Sequence, residues 1–519
     1  MRQFTRTLDM RYNPKPYDFE IQEPSHKVPL CCIFLCQFDV KKGNTLIWSK
    51  KSTETSDISL GNIEFKCIPS GIHELEKDVV SFVIPKGENL VEVYYGVSCF
   101  QQNGQSLSRN VSHVDRGKVQ MFSLGVIVDA SFRYKGVSKS KFYDWKPNQF
   151  ISATEYIDDL QELLSHWLKR QNLGQDFSLF ENYFEANRFK ADSAMLSSPI
   201  LQHSWQNAGK FTTNSLLQEK HPHMLESLSQ WLEYLGPLMF PLWKACITRQ
   251  RVLIITGNGV SFEKTNSLVY CLSILSLIPR IISDKLKDSP LQPLYCIGIS
   301  DIDDLERHVA ASMSTNDETY EITGFIACTG DEILESRSEL YDVCLKIHGR
   351  DALPEITTSN GDYLKATPHE LELYEKLVSN SLGYQLSQNE KEKVFRLVEP
   401  TTWSQYLIDG FYWWATAGYM RPSFHEPEDK VIADLDRDNL EIVISLVGYF
   451  HEKTLLLYNS LKQVVEASTE DTVVVSPIFL ATVGLDCFSS GDYAFLNKVC
   501  QKWFDRELLV RNVDCTLLC

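Results

Sequence analysis

An α+β module, then an α/β core with a doubly wound, mainly parallel sheet, then a helical C-terminal part is the architecture this sequence of 519 residues predicts. Three observations predict it. Short runs of β-branched and aromatic residues, separated by turn residues, fill residues 29–129 in the manner of an antiparallel sheet. Between Arg251 and Ile347, apolar runs too short for helices alternate with capped helical stretches, which is the rhythm of a parallel sheet with helices on its faces. From Asp351 onward the periodicity is helical.

Residues 1–28 carry Pro14, Pro16 and Pro24 among charges and read as a flexible arm. From Pro29, LCCIFLCQFDV and TLIWSK flank Lys42-Gly43-Asn44 as a hairpin. Ile63–Ile68 is a third short run of the same kind, broken by Pro69-Ser70-Gly71, and Asp78–Ile84, Leu90–Phe100 and Met121–Asp129 complete the sheet. Ser152–Arg170 then reads as a helix with Tyr156, Leu160, Leu163 and Trp167 on one face. That helix closes an α+β domain over 29–170. Residues 171–221 are polar with few apolar side chains and read as a linker.

The α/β core is expected over 222–350. Pro222–Leu235 restarts a helix with Pro222 in its first turn, and Gly236-Pro237 stops it. Val252–Ile255 ends at Gly257-Asn258-Gly259 and reads as a strand buried on both faces, with Asn266–Ile278 as a helix packed back onto it. Leu294–Ile299, Gly324–Cys328 and Leu340–Ile347 are further strands; Ser300 with Asp303, and Thr329 with Glu332, look like capping boxes between them. In the helical part, 351–519, Thr367-Pro368-His369-Glu370 opens a helix. The aromatic group of Trp403–Ala417 fits a core helix better than a ligand platform. Leu440–Ala467 carries Val443, Val447, Phe450, Leu457, Leu461 and Val464 on a stripe too short for a coiled coil, so it docks on the core. A last helix spans Asp492 to about Glu507.

Several function classes fall away. A net charge of −17 without a basic stripe argues against nucleic acid. Fourteen cysteines scattered through apolar segments with no C-x-x-C pair fit buried, reduced thiols and hence the cytoplasm. The first twenty residues contain no apolar signal core and no stretch is long enough for a membrane span, so membrane association would be peripheral. Asn110-Val111-Ser112 is then a chance sequon.

The chemistry-bearing motifs fail at positions with mechanical roles. A P-loop needs glycine before its lysine, yet Glu263 precedes Lys264 and Thr265 and puts an anion where phosphate would lie. The dinucleotide fingerprint lacks its third glycine, for which Phe262 stands. Asp301, Asp303 and Asp304 could ligate magnesium at strand ends, but helix capping accounts for at least two of them. Gly298-Ile299-Ser300 lacks the second glycine of a nucleophile elbow, and no H-E-x-x-H occurs. His221 and His223 have no further ligand at metal spacing. Between Cys515 and Cys519, Thr516 stands where a prenylated cysteine would be, which leaves acylation of an exposed cysteine open. No catalytic, cofactor-binding or metal-binding residue is therefore nominated.

The order FLCQFDVKKGNTLIWSK, FKCIPSGIHELEKDVVSFVI and LGVIVD resembles the opening of DENN-domain proteins, closest to the LCHN-type branch and its fungal relatives. VYCLSILSLIP, GFIACTGDEILESRSELYDVCLKI, GFYWWATAG and VGLDCFSSGDYAFLNKV continue that resemblance to about residue 505. It implies a longin-like (upstream DENN) module over 29–170, an α/β DENN core over 222–350 and a downstream DENN part over 351–519. It also implies a function: guanine nucleotide exchange on, or regulation of, a Rab-family small GTPase in membrane trafficking, by surface contact with the switch regions and without a cofactor. The alternatives are a non-catalytic adaptor that recruits a GTPase to a membrane compartment and a nucleotide-binding α/β enzyme. No contact residue transfers from the family.

Overall fold

The computed structural model describes residues 27–511 except 40, 56, 69–74, 88–89, 103–119, 132–145, 170–175, 189–220, 258, 287, 289, 315–323, 350–351, 401–438 and 471. Leu30–Asp39 (β1) and Gly43–Lys51 (β2) form the expected antiparallel hairpin, with Gly43 at φ +77° leaving the turn. Lys77–Pro85 (β3), Val93–Gln102 (β4) and Met121–Val128 (β5) join them, all pairs antiparallel. Both faces are covered, because alternation sends Ile33 and Leu35 to one apolar cluster and Cys32, Phe34 and Cys36 to another. Glycine is required beneath two of the rings. A Cβ at Gly125 would lie 2.3 Å from Phe34 Cζ, and one at Gly96 2.2 Å from Phe82 Cε2.

Ile63–Ile68 is not a strand. Ile63–Cys67 is a helical turn (α1) on the second of these faces, burying Ile63 and Cys67 and leaving Phe65 exposed. The run carries apolar residues at both two- and four-residue spacing, and the four-residue pair is the one the sheet covers. Ile157–Leu168 (α2) closes the other face through Leu160, Leu164 and Trp167; Leu164 replaces the expected Leu163, which is half-buried. The region read as a linker also holds a helix, Ser178–Asn187 (α3). Its Phe180 and Phe184 are buried, with the Phe180 ring 5.7 Å from that of Trp167 and 5.8 Å from that of Trp48. Two phenylalanines four apart in a polar stretch were the signal, and tertiary packing on β1 does the rest.

Leu228–Leu235 (α4) and Met239–Ile247 (α5) lead into the second group of strands, with Gly236 at φ +57° between them. Pro222 precedes the cap rather than occupying the first turn. His223 is the cap residue: its Nδ1 accepts from Leu225 N at 3.2 Å, and Glu226 Oε1 accepts from His223 N at 2.9 Å. Next come Val252–Thr256 (β6), Phe262–Leu275 (α6), Gln292–Cys296 (β7), Ile302–Ser314 (α7), Phe325–Thr329 (β8) and Val343–Ile347 (β9). The four strands are parallel in the order β9-β6-β8-β7. Glu355–Thr358 (β10), where helix was expected, adds an antiparallel edge to β9.

The two groups share one ten-stranded mixed sheet, because β3 pairs antiparallel with β7 at Phe82 and Tyr295. Two of the expected capping boxes are built differently. Asp301, not Asp303, returns to the start of its helix by accepting from Gly298 N at 2.9 Å, and Thr329 Oγ1 accepts from Asp331 N at 3.0 Å without engaging Glu332. The third is as expected: Thr367 N donates to Glu370 Oε2 at 2.8 Å and Glu370 N to Thr367 Oγ1 at 3.2 Å, opening Pro368–Leu377 (α8).

Asn439–Ala467 (α9) is the long helix read from the sequence, and it docks on α5, with Phe450 5.6 Å from Phe240 and 5.8 Å from Trp243 between ring centroids. Ser490–Phe504 (α10) follows, and Thr472–Val475 (β11) pairs in parallel with Glu507–Val510 (β12). A buried ionic group joins these helices. Lys244 of α5 pairs with Glu370 of α8 at 2.6 Å and with Asp492 of α10. Lys453 of α9 lies over the rings of Phe240 and Tyr449 at 5.8 and 5.5 Å. Burial, then the Lys244 charge, pull its pKa down to about 8 from the ordinary 10.5, against the pull of Glu370 and Asp492.

All twelve described cysteines are free thiols and eleven are buried; burial pushes Cys246 and Cys271 up to about 12. Among the described residues no helix is long and apolar enough to cross a membrane. Residues 1–26, the sequon at Asn110, the aromatic group Trp403–Ala417, and Cys515 to Cys519 lie outside the described residues.

Two outcomes follow from this packing. Phe184→Ala removes a fully buried ring and should lower unfolding free energy by about 3–5 kcal/mol, read from urea denaturation. The native chain releases the Lys453 proton near 8 while the unfolded chain holds it to the ordinary value, so this group adds stability as pH rises through that window. Lys453→Met should therefore raise the melting temperature at pH 7 and flatten its rise between pH 8 and 10.

Candidate functional site

Open parallel sheets bind ligands at the carboxyl ends of their strands, where loops turn into helix N-termini. Here that edge is built from both strand groups. After β6 the chain passes Gly257, whose N–H donates to Ile347 O at 2.8 Å, and a Cβ at Gly257 would lie 2.5 Å from that oxygen. The glycine is needed for approach to β9 and not for a phosphate. Ser261 then caps α6, its Oγ accepting from Glu263 N at 3.1 Å.

The N-terminus of α6 is filled by Asp78, which reaches it from β3. Ser261 Oγ donates to Asp78 Oδ1 at 2.6 Å, Phe262 N to Oδ2 at 2.9 Å and Glu263 N to Oδ1 at 3.2 Å. Val79 N adds a fourth donor at 2.8 Å. Burial raises the Asp78 carboxyl above its ordinary value while these donors pull it back down. Burial likewise raises Glu263; Asp78 adds to that, and His221, 3.7 Å away, opposes it. The protein's own carboxylate thus sits where a nucleotide phosphate would be held, which removes the physical basis for a nucleotide site beside Gly257.

A second contact lies at the same edge. Lys66 of α1 pairs with Asp301 at 2.5 Å and donates to Val83 O at 3.0 Å, both side chains buried. Asp301 is thereby committed, Asp304 pairs with Arg307, and Asp303 stands exposed in the first turn of α7. The three carboxylates are not brought together. Among the described residues no group of three His, Cys, Asp or Glu side chains could hold a metal ion. His221 and His223 also separate, His223 serving as a helix cap with its pKa lowered by burial.

Three large apolar side chains are exposed on the segments that carry this pair and on the loop after β8. Phe65, next to Lys66, is 53% exposed; Ile299 and Ile333 are 48% and 59% exposed. Asp331, two residues before Ile333, accepts from Ile299 N at 3.3 Å, so Ile299 and Ile333 flank it. Sequence reading missed Asp78 and Lys66. Their only local sign is a charge within a mostly apolar run, Asp78 in DVVSFVI and Lys66, with Glu64, in IEFKCI.

A family model for DENN domain-containing protein 11 matches residues 33–354, across both strand groups and the junction between them. This chain belongs to that DENN family. The DENN chain is 36% identical over 527 residues to the Saccharomyces cerevisiae protein described as "Uncharacterized protein ANR2", covering 96% of each. It is 24% identical over 351 residues to DENN domain-containing protein 11 of Danio rerio, covering 65% of this chain and 58% of that one. The Rattus norvegicus protein of the same description is 23% identical over 317 residues, 60% of this chain and 56% of its own.

Asp78→Ala should orphan buried donors at the start of α6 and cost about 2–4 kcal/mol, at roughly 1–3 kcal/mol for an unsatisfied buried group. Millimolar phosphate should raise the melting temperature of that variant, by refilling the helix terminus, and leave the wild type unmoved.

Proposed function

We propose that this DENN protein binds a Rab-family small GTPase and promotes or regulates its nucleotide exchange, with the GTPase docked across the junction of the two strand groups. In this reading residues 29–170 are a longin-like module, 171–221 its connection, 222–350 the α/β DENN core and 351–519 the downstream helical part, behind an arm of 1–28. The observation that carries it is the exposed trio Phe65, Ile299 and Ile333, contributed from both sides of a junction tied by the Lys66–Asp301 pair and the Asp78 contacts. Membership of the DENN family supports a small GTPase as the kind of partner.

Exchange of this kind needs no acid–base residue. The surface must hold the nucleotide-free GTPase more tightly than the nucleotide-bound form, and a thousandfold preference corresponds to about 4 kcal/mol. Apolar side chains on a rigid support suit that task, since they lose little freedom on contact. A GTPase seated on an organelle membrane would bring the protein there peripherally.

Release of mant-GDP from a panel of Rab GTPases, measured with the full chain, tests the reading. Faster release from one or a few members is expected, falling on the order of tenfold or more with Phe65→Asp or Ile299→Asp while the melting temperature of these exposed-site variants stays put. Binding at this surface without faster release would make the protein an adaptor. No binding to any member would defeat both readings.

A further inference from the structure

The parallel pair β11 and β12 stands apart from the ten-stranded sheet as a small sheet of its own. One of its faces is built in, with Val473, Val475 and Leu508 buried in the apolar core. Parallel strands are ordinarily covered on both faces. Here the other face is open: Val474 is 44% and Leu509 47% exposed, and the two are register partners, side by side across the ladder. Ile478, three residues beyond Val475, is 73% exposed and enlarges the apolar patch.

The edge of β12 is less open than its face. Leu508 N donates to Asn497 Oδ1 of α10 at 2.9 Å, so a side chain already occupies the edge that strand addition would need. On the face, order along the strand matters. Arg511 N donates to Val475 O at 3.0 Å, which carries the ladder one residue past β12 and sets exposed Glu507, Leu509 and Arg511 in alternation on the outer side. At strand rise the two charges lie about 13 Å apart with Leu509 midway. Neighbouring residues reinforce the polarity. Asp505 and Glu470 are also exposed at the Glu507 end, where Arg506 is held on the Glu470 carbonyl. Toward the Arg511 end, residues 473–479 and 508–510 carry no carboxylate.

Acid, apolar, base along one strand is an order that complements itself when the strand is reversed. A two-fold contact demands such a patch, whereas a contact with an unrelated protein does not. We propose that a second copy of this chain packs face to face on the β11–β12 ribbon. The two β12 strands run antiparallel, with Leu509 and Val474 of the two copies in contact and Glu507 of each copy against Arg511 of the other. The inference stands apart from the GTPase reading, because no residue is shared between the two surfaces.

Sedimentation velocity of the full chain, from micromolar to submillimolar concentration, tests it. A monomer–dimer equilibrium is expected with a dissociation constant on the order of 10–100 μM, since the ribbon is smaller than the ~800 Å² per partner of a stable interface. Leu509→Asp should leave only monomer. Glu507→Arg and Arg511→Glu should each weaken association on the order of tenfold, because each sets like charges together at both symmetric contacts. An equimolar mixture of those two variants should dimerise again, and so should the double variant Glu507→Arg/Arg511→Glu. All the substituted side chains are exposed, so unchanged melting temperatures check the fold. A chain that stays monomeric throughout, or a dimer indifferent to Leu509→Asp, would overturn the inference. So would a dimer that Arg511→Glu leaves unchanged, as when a carboxylate of the same chain already holds Arg511, or a mixture of the two charge variants that stays monomeric.

Discussion

A single carboxylate, that of Asp78, sets what the rest of this molecule can do. A helix N-terminus at the carboxyl edge of a parallel sheet leaves backbone donors pointing outward and concentrates positive potential there. In a nucleotide-using fold a phosphate satisfies them. Here a side chain from the neighbouring strand group does, so the same contact that ties β3 to α6 also closes the position to a ligand. The cost is a buried carboxylate. Four donors around Asp78 offset part of it, while burial still holds its carboxyl above the ordinary value.

The other charged contacts of the fold follow the same pattern of burial with pairing. Lys66 and Asp301 join α1 to the loop after β7, and Lys244 gathers Glu370 and Asp492 where three helices meet. Such groups contribute little net stability compared with apolar packing, but leaving one partner unpaired is expensive. They therefore favour one relative placement of the elements they join. With the sheet continuous through Phe82 and Tyr295, the junction becomes a rigid support on which Phe65, Ile299 and Ile333 remain exposed. A rigid support bearing exposed apolar side chains is suited to holding another macromolecule.

What was legible in the sequence was whatever local periodicity and turn chemistry control. β1 and β2, the buried strand β6, the Thr367 capping box and the long helix α9 stand where the residues put them, because each is specified within a dozen neighbours. α1 and α3 were misread for a shared reason. Each is short, and isolated short helices are marginal, so what holds them is the face they cover: Ile63 and Cys67 on one side of the sheet, Phe180 and Phe184 on the other. The cap reassignments at Gly298 and His223 show how strongly one residue of offset depends on surrounding packing.

By itself, then, the sequence determined elements such as β1, β2, β6 and α9, the lack of an intact phosphate-binding motif around Gly257 and the resemblance to DENN proteins, all carried by residues close along the chain. Only the tertiary structure decided that the two strand groups share one sheet, that Asp78 fills the helix terminus more than 180 positions away, and that Lys66, beside Phe65, pairs with Asp301. These depend on contacts between distant segments, whose closure is fixed by how the faces pack and leaves almost no local mark.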